Sequence, residues 1–167
     1  MQPTKLNSLQ PDVTGVKENI VNSLPMCQLI IDNLPELIYW KNKNLVFQGC
    51  NLAFAKAVGL TYSEEIIGKT DDELPLKNQT LNLSGNWVQS HSFTNDRHII
   101  ESNTNFEQTS VSALASGKNI WLDIRKKPLI NENGEVTGML CRIEDITRRK
   151  LEEAELIESH QRHLALC

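Results

Sequence analysis

The chain has no apolar run long enough to cross a membrane and no excess of positive charge. None of its hydrophobic stretches approaches the roughly 20 residues that a membrane-spanning helix needs. The net charge is −4, and a basic run such as residues 148–150, which has only three residues, is too short to follow a nucleic-acid backbone. Residues 1–15 lack the apolar core of a secretion signal. We therefore expect a cytoplasmic protein in which this domain neither spans a membrane nor binds nucleic acid.

Short motifs that mark common active sites and metal centres are also missing. The sequence contains no GxxxxGK loop for phosphates, no GxSxG and no HExxH. Its cysteines fit neither a CxxC nor a zinc-binding spacing, which favours reduced thiols; they are Cys27, Cys50, Cys141 and Cys167. We expect no catalytic residue, no metal site and no enzymatic activity in this chain.

The clearest pattern in the sequence lies in its last third. Apolar residues alternate along 120–124, as they do in a half-buried strand. Asn133-Gly134 is a pair that suits a tight hairpin turn, because such turns need positive φ. A second strand follows at about 136–143 and leads through 145–147 directly into a charged helix. A strand that continues into an exposed helix is a mechanical connection, so a disturbance of the sheet can move the helix.

These residues resemble the end of a PAS domain, the sensory module of bacterial signalling proteins. The residues that carry the resemblance are Gly138, Asp145, Ile146, Thr147, Arg149, Lys150 and Glu152. An earlier block is similar to the first half of the same family through Leu34-Pro35, Trp40-Lys41, Asn51, Ala53-Phe54, Gly59 and Glu65-Ile66-Ile67-Gly68-Lys69. The two blocks stand in the right order and a domain's length apart, so the resemblance covers roughly residues 26 to 150.

Five strands are predicted, with short helices between the second and the third, and Asn51 is placed to cap the first of these helices. Hairpins join strands three to five, which predicts antiparallel pairing. The resemblance implies an α+β fold in which a five-stranded antiparallel sheet has the order 2-1-5-4-3. Short helices would cover one face, and further helices would flank the domain. We expect these segments in turn: a loose N-terminus at 1–15, a leading helix at 16–25 that Pro25 ends, the sensory domain at 26–147 and a signalling helix at 148–167.

The small core beneath such a sheet often serves as a ligand pocket. The side chains that we predict to line it are Phe54, Phe93, Ile100, Leu122, Ile124, Met139, Cys141 and Ile143. The same side chains would fill an ordinary hydrophobic core. The sequence therefore leaves a ligand pocket and a packed core as alternatives.

Two cofactors are considered because relatives of this family carry them. Haem-binding relatives take an iron ligand from the helix predicted here over 86–103, which contains His91 and His98. Polar neighbours favour surface histidines instead, so haem is the less favoured interpretation. Light-sensing relatives need a cysteine in an Asn-Cys-Arg-Phe-Leu-Gln motif, but the corresponding residues 68–75 contain none and Cys50 lies too early. This argues against flavin photochemistry.

Apolar positions on the flanking helices point to a homodimer. Trp121 should face the outer side of the sheet and need a cover, which the leading helix of the same chain or of a partner would supply. Apolar residues of the C-terminal helix recur at steps of three and four, as in a two-helix seam. Packing within one chain is the alternative. The candidate dimer-surface residues are Val16, Ile20, Leu24, Trp121, Leu151 and Ile157.

We interpret the chain as the sensory PAS domain of a signal-transduction protein, either a sensor histidine kinase or a transcriptional regulator. A small molecule or a partner would change the packing beneath strands four and five, and Asp145 and Thr147 would pass the change to the C-terminal helix. We expect Thr147 to cap that helix. An effector domain is expected to follow, because the helical pattern continues to the last residue. The alternatives are a ligand-free dimerisation module and, less favoured, a haem-based gas sensor.

Overall fold

The computed structural model describes residues 13–75, 95–113 and 117–166. In chain order the elements are α1 (Val13–Asp32), β1 (Leu37–Asn42), β2 (Phe47–Cys50), α2 (Leu52–Ala57), α3 (Asp96–Ser102), β3 (Phe106–Ala113), β4 (Asn119–Ile130), β5 (Val136–Asp145) and α4 (Thr147–Ala165). Two single-turn 3-10 helices, Ser63–Ile66 and Asp71–Glu73, follow α2.

The five strands form one antiparallel sheet with the order β2-β1-β5-β4-β3. This confirms the predicted fold class and strand order. Strand β5 lies between β1 and β4, at the centre of the sheet. A displacement of β5 therefore also displaces β1 on one side and β4 on the other.

Two of the hairpin turns are stabilised by asparagine side chains. Between β1 and β2 the Oδ1 of Asn42 accepts the N–H groups of Asn44 and Val46. Between β4 and β5, Asn131 Oδ1 accepts the N–H groups of Asn133 and Glu135 at 3.0 and 2.9 Å, and Gly134 supplies the predicted positive φ of 79°. Between β1 and β2 no glycine is present, and Leu45 itself takes a φ of 62°. A leucine in this region is strained, so the surrounding turn must hold it there.

Helix α1 does not break at Pro25, so this prediction was wrong. The helix is continuous from Val13 to Asp32. Proline lacks a backbone N–H, which leaves one carbonyl of the preceding turn without its helical partner. Residues 23–27 are exposed, so the helix is open to solvent around the proline. The helix also begins inside the segment predicted to be loose, and residues 1–12 lie outside the described residues.

The helix predicted over 86–103 is described only from residue 95 onward. There α3 begins at Asp96, because Asn95 has a left-handed φ of 73° that interrupts a helix, and Asn103 ends α3 with a φ of 51°. Asparagine enters this conformation more readily than most residues. Phe93 and His91 lie outside the described residues.

The core lies between the inner face of the sheet and the covering helices. Its aromatic centre is formed by Tyr39, Phe47 and Phe54, whose ring centroids are 5.5 Å apart for Tyr39–Phe47 and 4.8 Å apart for Tyr39–Phe54. Around them lie further buried apolar side chains from every layer, among them Leu37, Ile66, Ile99, Leu122, Ile124, Met139, Cys141 and Ile143.

Asn51 joins α1, β1 and α2 through the four hydrogen bonds that its amide can make. Its Oδ1 accepts the N–H of Ile38 at 3.0 Å and that of Phe54 at 3.1 Å. Its Nδ2 donates to the carbonyls of Ile31 at 3.1 Å and Glu36 at 2.7 Å. The bond to Phe54 confirms the predicted cap of α2, and the other three fix the end of α1 to the sheet.

The described ranges contain no helix that combines the length and the apolar character needed to cross a bilayer.

Gly138 provides a test of the central strand pair. It lies opposite Asn42, and a Cβ at position 138 would overlap the carbonyl oxygen of Lys41. We expect Gly138→Ala to lower the free energy of unfolding by about 2–3 kcal/mol, because backbone must move to admit the methyl group. Urea unfolding followed by far-UV circular dichroism measures this loss.

Gly49→Ala is the matched control. There the added methyl would meet the ring of Trp40, which is only half-buried on the outer face. A side chain at the surface can turn aside more easily than a paired strand can, so we expect a clearly smaller loss. Equal losses in the two variants would contradict the close backbone contact at Gly138.

Candidate functional site

Most of the predicted pocket residues come together beneath the sheet. Six of them are buried in the common core: Phe54, Leu122, Ile124, Met139, Cys141 and Ile143. Ile100 is half-buried and packs against this core. Burial of these side chains is required by a lined pocket and by a packed core alike, so their role in ligand binding stays a prediction.

A charged cluster lies in the same core, and the sequence analysis missed it. The side chains of Lys41 in β1 and Lys126 in β4 have no exposed surface, and that of Asp96 at the start of α3 is 1% exposed. Asp96 Oδ2 lies 2.7 Å from Lys41 Nζ, and Asp96 Oδ1 lies 2.6 Å from Lys126 Nζ. The Tyr39 hydroxyl is 3.2 Å and 3.3 Å from the same two oxygens. One buried carboxylate thus bridges two ammonium groups and a phenol.

A second carboxylate borders the cluster on its solvent side. Asp71, from the second 3-10 helix, forms an ion pair with Lys41, and its side chain is 26% exposed. Burial raises the pKa of the Asp71 carboxyl, and the Lys41 ammonium opposes that rise. With both aspartates ionised, the two lysines are neutralised within the cluster.

The sheet register explains why these side chains meet. Tyr39 and Lys126 are the neighbours of Cys141 in β1 and β4, and Lys41 pairs with Met139. Side chains two residues apart on a strand share a face. On the inner face Lys41 follows Tyr39 and Lys126 follows Ile124. A lysine at a position where the alternating strand pattern predicts a buried apolar residue is therefore the signal that could have revealed the cluster.

Burying this cluster is costly, and additional contacts offset part of the cost. Each ion taken out of water loses several kcal/mol of hydration. Lys41 Nζ lies 4.6 Å from the centroid of the Phe47 ring, and Lys126 Nζ lies 5.8 Å from that of Phe106, both within cation–π range. Buried charged networks of this kind are concentrated at functional sites, which makes this one the leading candidate.

The neutral groups of the cluster are poor reagents. Burial, together with nearby Cys141 and Asp96, raises the pKa of Tyr39 well above its usual value, so its hydroxyl keeps its proton. Burial raises the pKa of the Cys141 thiol to about 12, and the thiol is therefore not a nucleophile at neutral pH. The arrangement suits the binding of a charged group and not covalent chemistry.

Two hydrogen bonds tie the junction between β5 and α4 to Trp121 in β4, and a third links Thr147 to Asp145 within the junction. The N–H of Trp121 donates to Thr147 Oγ1 at 2.9 Å, and that hydroxyl donates to Asp145 Oδ1 at 2.6 Å. The N–H of Ile146 donates to the Trp121 carbonyl, also at 2.9 Å. Both strands of this pair therefore hold the start of α4.

Thr147 does not cap α4 as predicted. It is the first residue of the helix, and its hydroxyl binds β4. The N–H of Thr147 is instead accepted by Asp145 Oδ1 at 3.0 Å. The capping function falls to Asp145, because a carboxylate two residues earlier in the chain can reach this N–H and also suits the positive end of the helix.

Among the described side chains, the contact to the Trp121 ring comes from α4. The predicted cover by the leading helix stays a prediction, because the side chains of Val16 and Ile20 lie outside the described part of the chain. Lys150 in α4 places its Nζ 5.8 Å from the centre of the Trp121 ring, which is half-buried. The described hydrogen bonds of α1 lead elsewhere: Gln28 Nε2 donates to the Cys50 carbonyl and to Ser63 Oγ. A cover from a partner's α1 stays a prediction.

The predicted dimer-surface residues are accessible where their side chains are described. Leu24, Leu151 and Ile157 are 65%, 58% and 60% exposed. Val16 and Ile20 lie within α1, outside the part of the chain with described side chains. This accessibility is compatible with a dimer and does not test it.

The described residues offer no metal centre, since no three of their His, Cys, Asp and Glu side chains group to hold an ion. His98 is exposed on α3. Cys27, Cys50 and Cys141 are free thiols.

Comparison with known proteins places this fold in a family. The sequence model of the family described as PAS fold matches residues 31–151. A comparison with curated proteins found no match. The VqmA–ligand–DNA complex of Vibrio cholera has 22% identity and a TM-score of 0.56, over 76% of this chain and 51% of that one. This chain therefore spans about half the length of VqmA.

Two further solved structures share the fold. The VqmA dimer of Vibrio cholerae without target DNA has 24% identity and a TM-score of 0.57, over 75% of this chain and 52% of that one. The PAS domain of BvgS from Bordetella pertussis has 21% identity and a TM-score of 0.57, over 85% and 98%. At these identities the likeness shows the fold alone.

The importance of the charged cluster can be tested by replacing Lys126. Lys126→Met keeps most of the side-chain volume but leaves Asp96 with one of its two lysine partners. We expect the free energy of unfolding to fall by roughly 2–4 kcal/mol, because a buried charge loses a charged hydrogen bond. Urea unfolding measures the change.

Lys127→Met serves as the control, because Lys127 is exposed on the same strand. We expect it to change the stability by no more than about 0.5 kcal/mol. If both variants were as stable as the unmodified chain, the Lys126–Asp96 bond would contribute nothing to the fold.

Proposed function

Because this chain belongs to the PAS-fold family, we propose that it senses a small molecule in its core and transmits that event to α4. PAS domains are typically sensory or regulatory modules and not catalysts. The host would be a cytoplasmic signal-transduction protein, with a transcriptional regulator or a sensor histidine kinase as its effector. The ligand would lie beneath β4 and β5, among the predicted pocket residues and the charged cluster.

One observation carries the proposal: β4 contacts both the core cluster and the start of α4. Lys126 reaches Asp96 in the core, and five residues earlier Trp121 bonds to Thr147 and Ile146. A shift of β4 that follows ligand binding would move the hydrogen-bond partners of the junction. No long chain of side chains is needed between the two sites.

Helix α4 is suited to respond to such a shift. From Leu151 to Leu166 its residues are exposed, so little packing within this chain opposes its motion. Its firm attachments are the bonds of Asp145, Ile146 and Thr147 to β4 and to each other. A rotation or tilt at these residues would be carried along the 19-residue helix to an effector.

The similar proteins suggest an oligomeric state and a kind of host protein for this domain. VqmA is described as a LuxR-type receptor that forms a dimer and has complexes with a ligand and with DNA. By analogy we propose a homodimer that is joined through exposed apolar residues of its terminal helices. DNA contact, if the host makes one, would belong to another domain.

The second candidate is a ligand-free dimerisation module, and the exposed apolar residues favour it. Leu29 and Ile30 in α1 and Leu156 and Ile157 in α4 are each more than half exposed, from 56% to 71%. Contiguous apolar surface on a protein commonly marks an interface. In this case the core would be fully packed and the cluster would only stabilise the fold.

A native mass spectrum of the freshly purified chain tests the proposal. We expect a dimer that carries extra mass, and the same sample under denaturing conditions should release that mass as a small molecule. A bare dimer would favour the dimerisation module. A bare monomer would contradict both candidates.

The transmission step is tested by changing the junction in the complete host protein. Asp145→Ala removes the acceptor of the Thr147 hydroxyl and N–H, so we expect the host's output to stop following its input while the domain stays folded. Unfolding free energy should change by less than about 1 kcal/mol. If the host with Asp145→Ala responds normally, Asp145 does not transmit the signal.

Thr147→Val and Thr147→Ser form a matched pair for the same step. Valine loses the bonds to Trp121 and Asp145, whereas serine keeps the hydroxyl. We expect amide exchange in the first turn of α4 to become roughly tenfold faster in Thr147→Val, because the loss of these two bonds lowers the local stability by about 1.4 kcal/mol, and to be unchanged in Thr147→Ser. Hydrogen–deuterium exchange with mass spectrometry reports both.

A further inference from the structure

The charged cluster has the composition of a carboxylate-binding site. Lys41 and Lys126 each bind a different oxygen of the same carboxylate, at 2.7 and 2.6 Å, and the Tyr39 hydroxyl lies within 3.3 Å of both oxygens. All three donors are on strands, β1 and β4, which the central strand β5 holds at a constant separation. The site for the carboxylate is thus built by the sheet.

The carboxylate itself comes from a different kind of element. Asp96 is the first residue of α3, a helix of seven residues that lies between Asn95 and Asn103, both in the left-handed conformation. Within the described residues α3 makes no backbone hydrogen bond to the sheet, so its attachments are the side-chain bonds of Asp96 and the buried side chain of Ile99. Rotations at the two asparagines would let Asp96 move away while the three donors stay in place.

We propose that Lys41, Lys126 and Tyr39 bind the carboxylate of a small organic anion, and that Asp96 occupies this site as an internal ligand until the anion replaces it. This inference rests on the proposed sensory function, because it names the chemical class of the ligand.

The charges favour a monoanion over other ligands. When Asp96 leaves, the described charged groups of the cluster are Lys41, Lys126 and ionised Asp71, which together carry one net positive charge; both lysine side chains are fully buried. A neutral ligand leaves that charge uncompensated, and a cation adds to it; both are unfavourable in a low-dielectric site. A monocarboxylate restores neutrality and reproduces the hydrogen bonds that Asp96 made.

Replacement of Asp96 also explains how binding would reach the output. The carboxylate of the ligand replaces that of Asp96 as the partner of Lys126. The start of α3 then loses its bonds to β1 and β4. Trp121 lies on the same strand as Lys126. A change in the contacts of Lys126 would therefore shift β4 and alter the hydrogen bond from Trp121 to Thr147. The event in the core is an exchange of one carboxylate for another.

Chemical rescue tests the site. Asp96→Ala removes the internal carboxylate, and we expect a lower melting temperature that sodium formate or sodium acetate restores in a saturable way. At a tenfold excess over the dissociation constant the gain should be about 3–5 °C. Sodium chloride at equal ionic strength and neutral acetamide should give no comparable gain.

Asp71→Ala is the matched variant. It removes the other aspartate of the cluster, whose position is open to solvent, so we expect formate and chloride to act equally on it. A gain in Asp96→Ala from formate or acetate that does not exceed the gain from chloride would overturn the proposal. So would an equal gain in both variants, because that would be a general effect of salt.

The unmodified chain supplies a second measurement that does not depend on a variant folding. At constant ionic strength, acetate should accelerate amide exchange in residues 96–102, because it competes with Asp96, and acetamide should not. Unchanged exchange in acetate overturns the proposal. Absence of rescue together with a neutral molecule in the native mass spectrum would remove the anion and leave the sensory function, so the two failures are distinguishable.

Discussion

The bridge from Asp96 to Lys41 and Lys126 is the interaction on which the rest of the structure depends. Two ammonium groups on strands either side of β5 would repel each other in a core without water, and a single carboxylate between them turns that repulsion into attraction. The same bridge fixes α3 against the sheet, because Asp96 is its first residue. Sheet geometry, helix position and core electrostatics are therefore coupled at one carboxylate.

This coupling divides the domain into stiff and soft parts. The sheet, with Asn51 binding α1, β1 and α2 together, is held by many backbone hydrogen bonds and a continuous apolar core. Helix α4 touches the domain mainly through its first turn, where Thr147 and Ile146 meet Trp121. When such a domain is perturbed, the few hydrogen bonds at the start of α4 change before the sheet does, so α4 moves relative to a sheet that keeps its shape.

The sequence was sufficient for features that depend on local patterns. Alternation identified the strands, Asn133-Gly134 identified a hairpin, and Asn51 was recognised as a cap because each of these signals acts over a few residues. Lys41 and Lys126 were missed because lysine is usually at the surface, and their partner Asp96 lies 55 and 30 residues away. Thr147 was misassigned for a similar reason, since its partner Trp121 is 26 residues distant.

The adjacency of β1 and β5 has a consequence for how such a domain is joined to its neighbours. Leu37, at the start of β1, pairs with Ile143, near the end of β5, so α1 arrives and α4 departs at the same border of the sheet. A module whose two connections lie side by side can be inserted into a continuous helical rod, or removed from it, without changing the path of the rod. The sheet then projects from the side of the helical rod, so a movement of the sheet can rotate or bend the rod, and several such modules can follow one another along it.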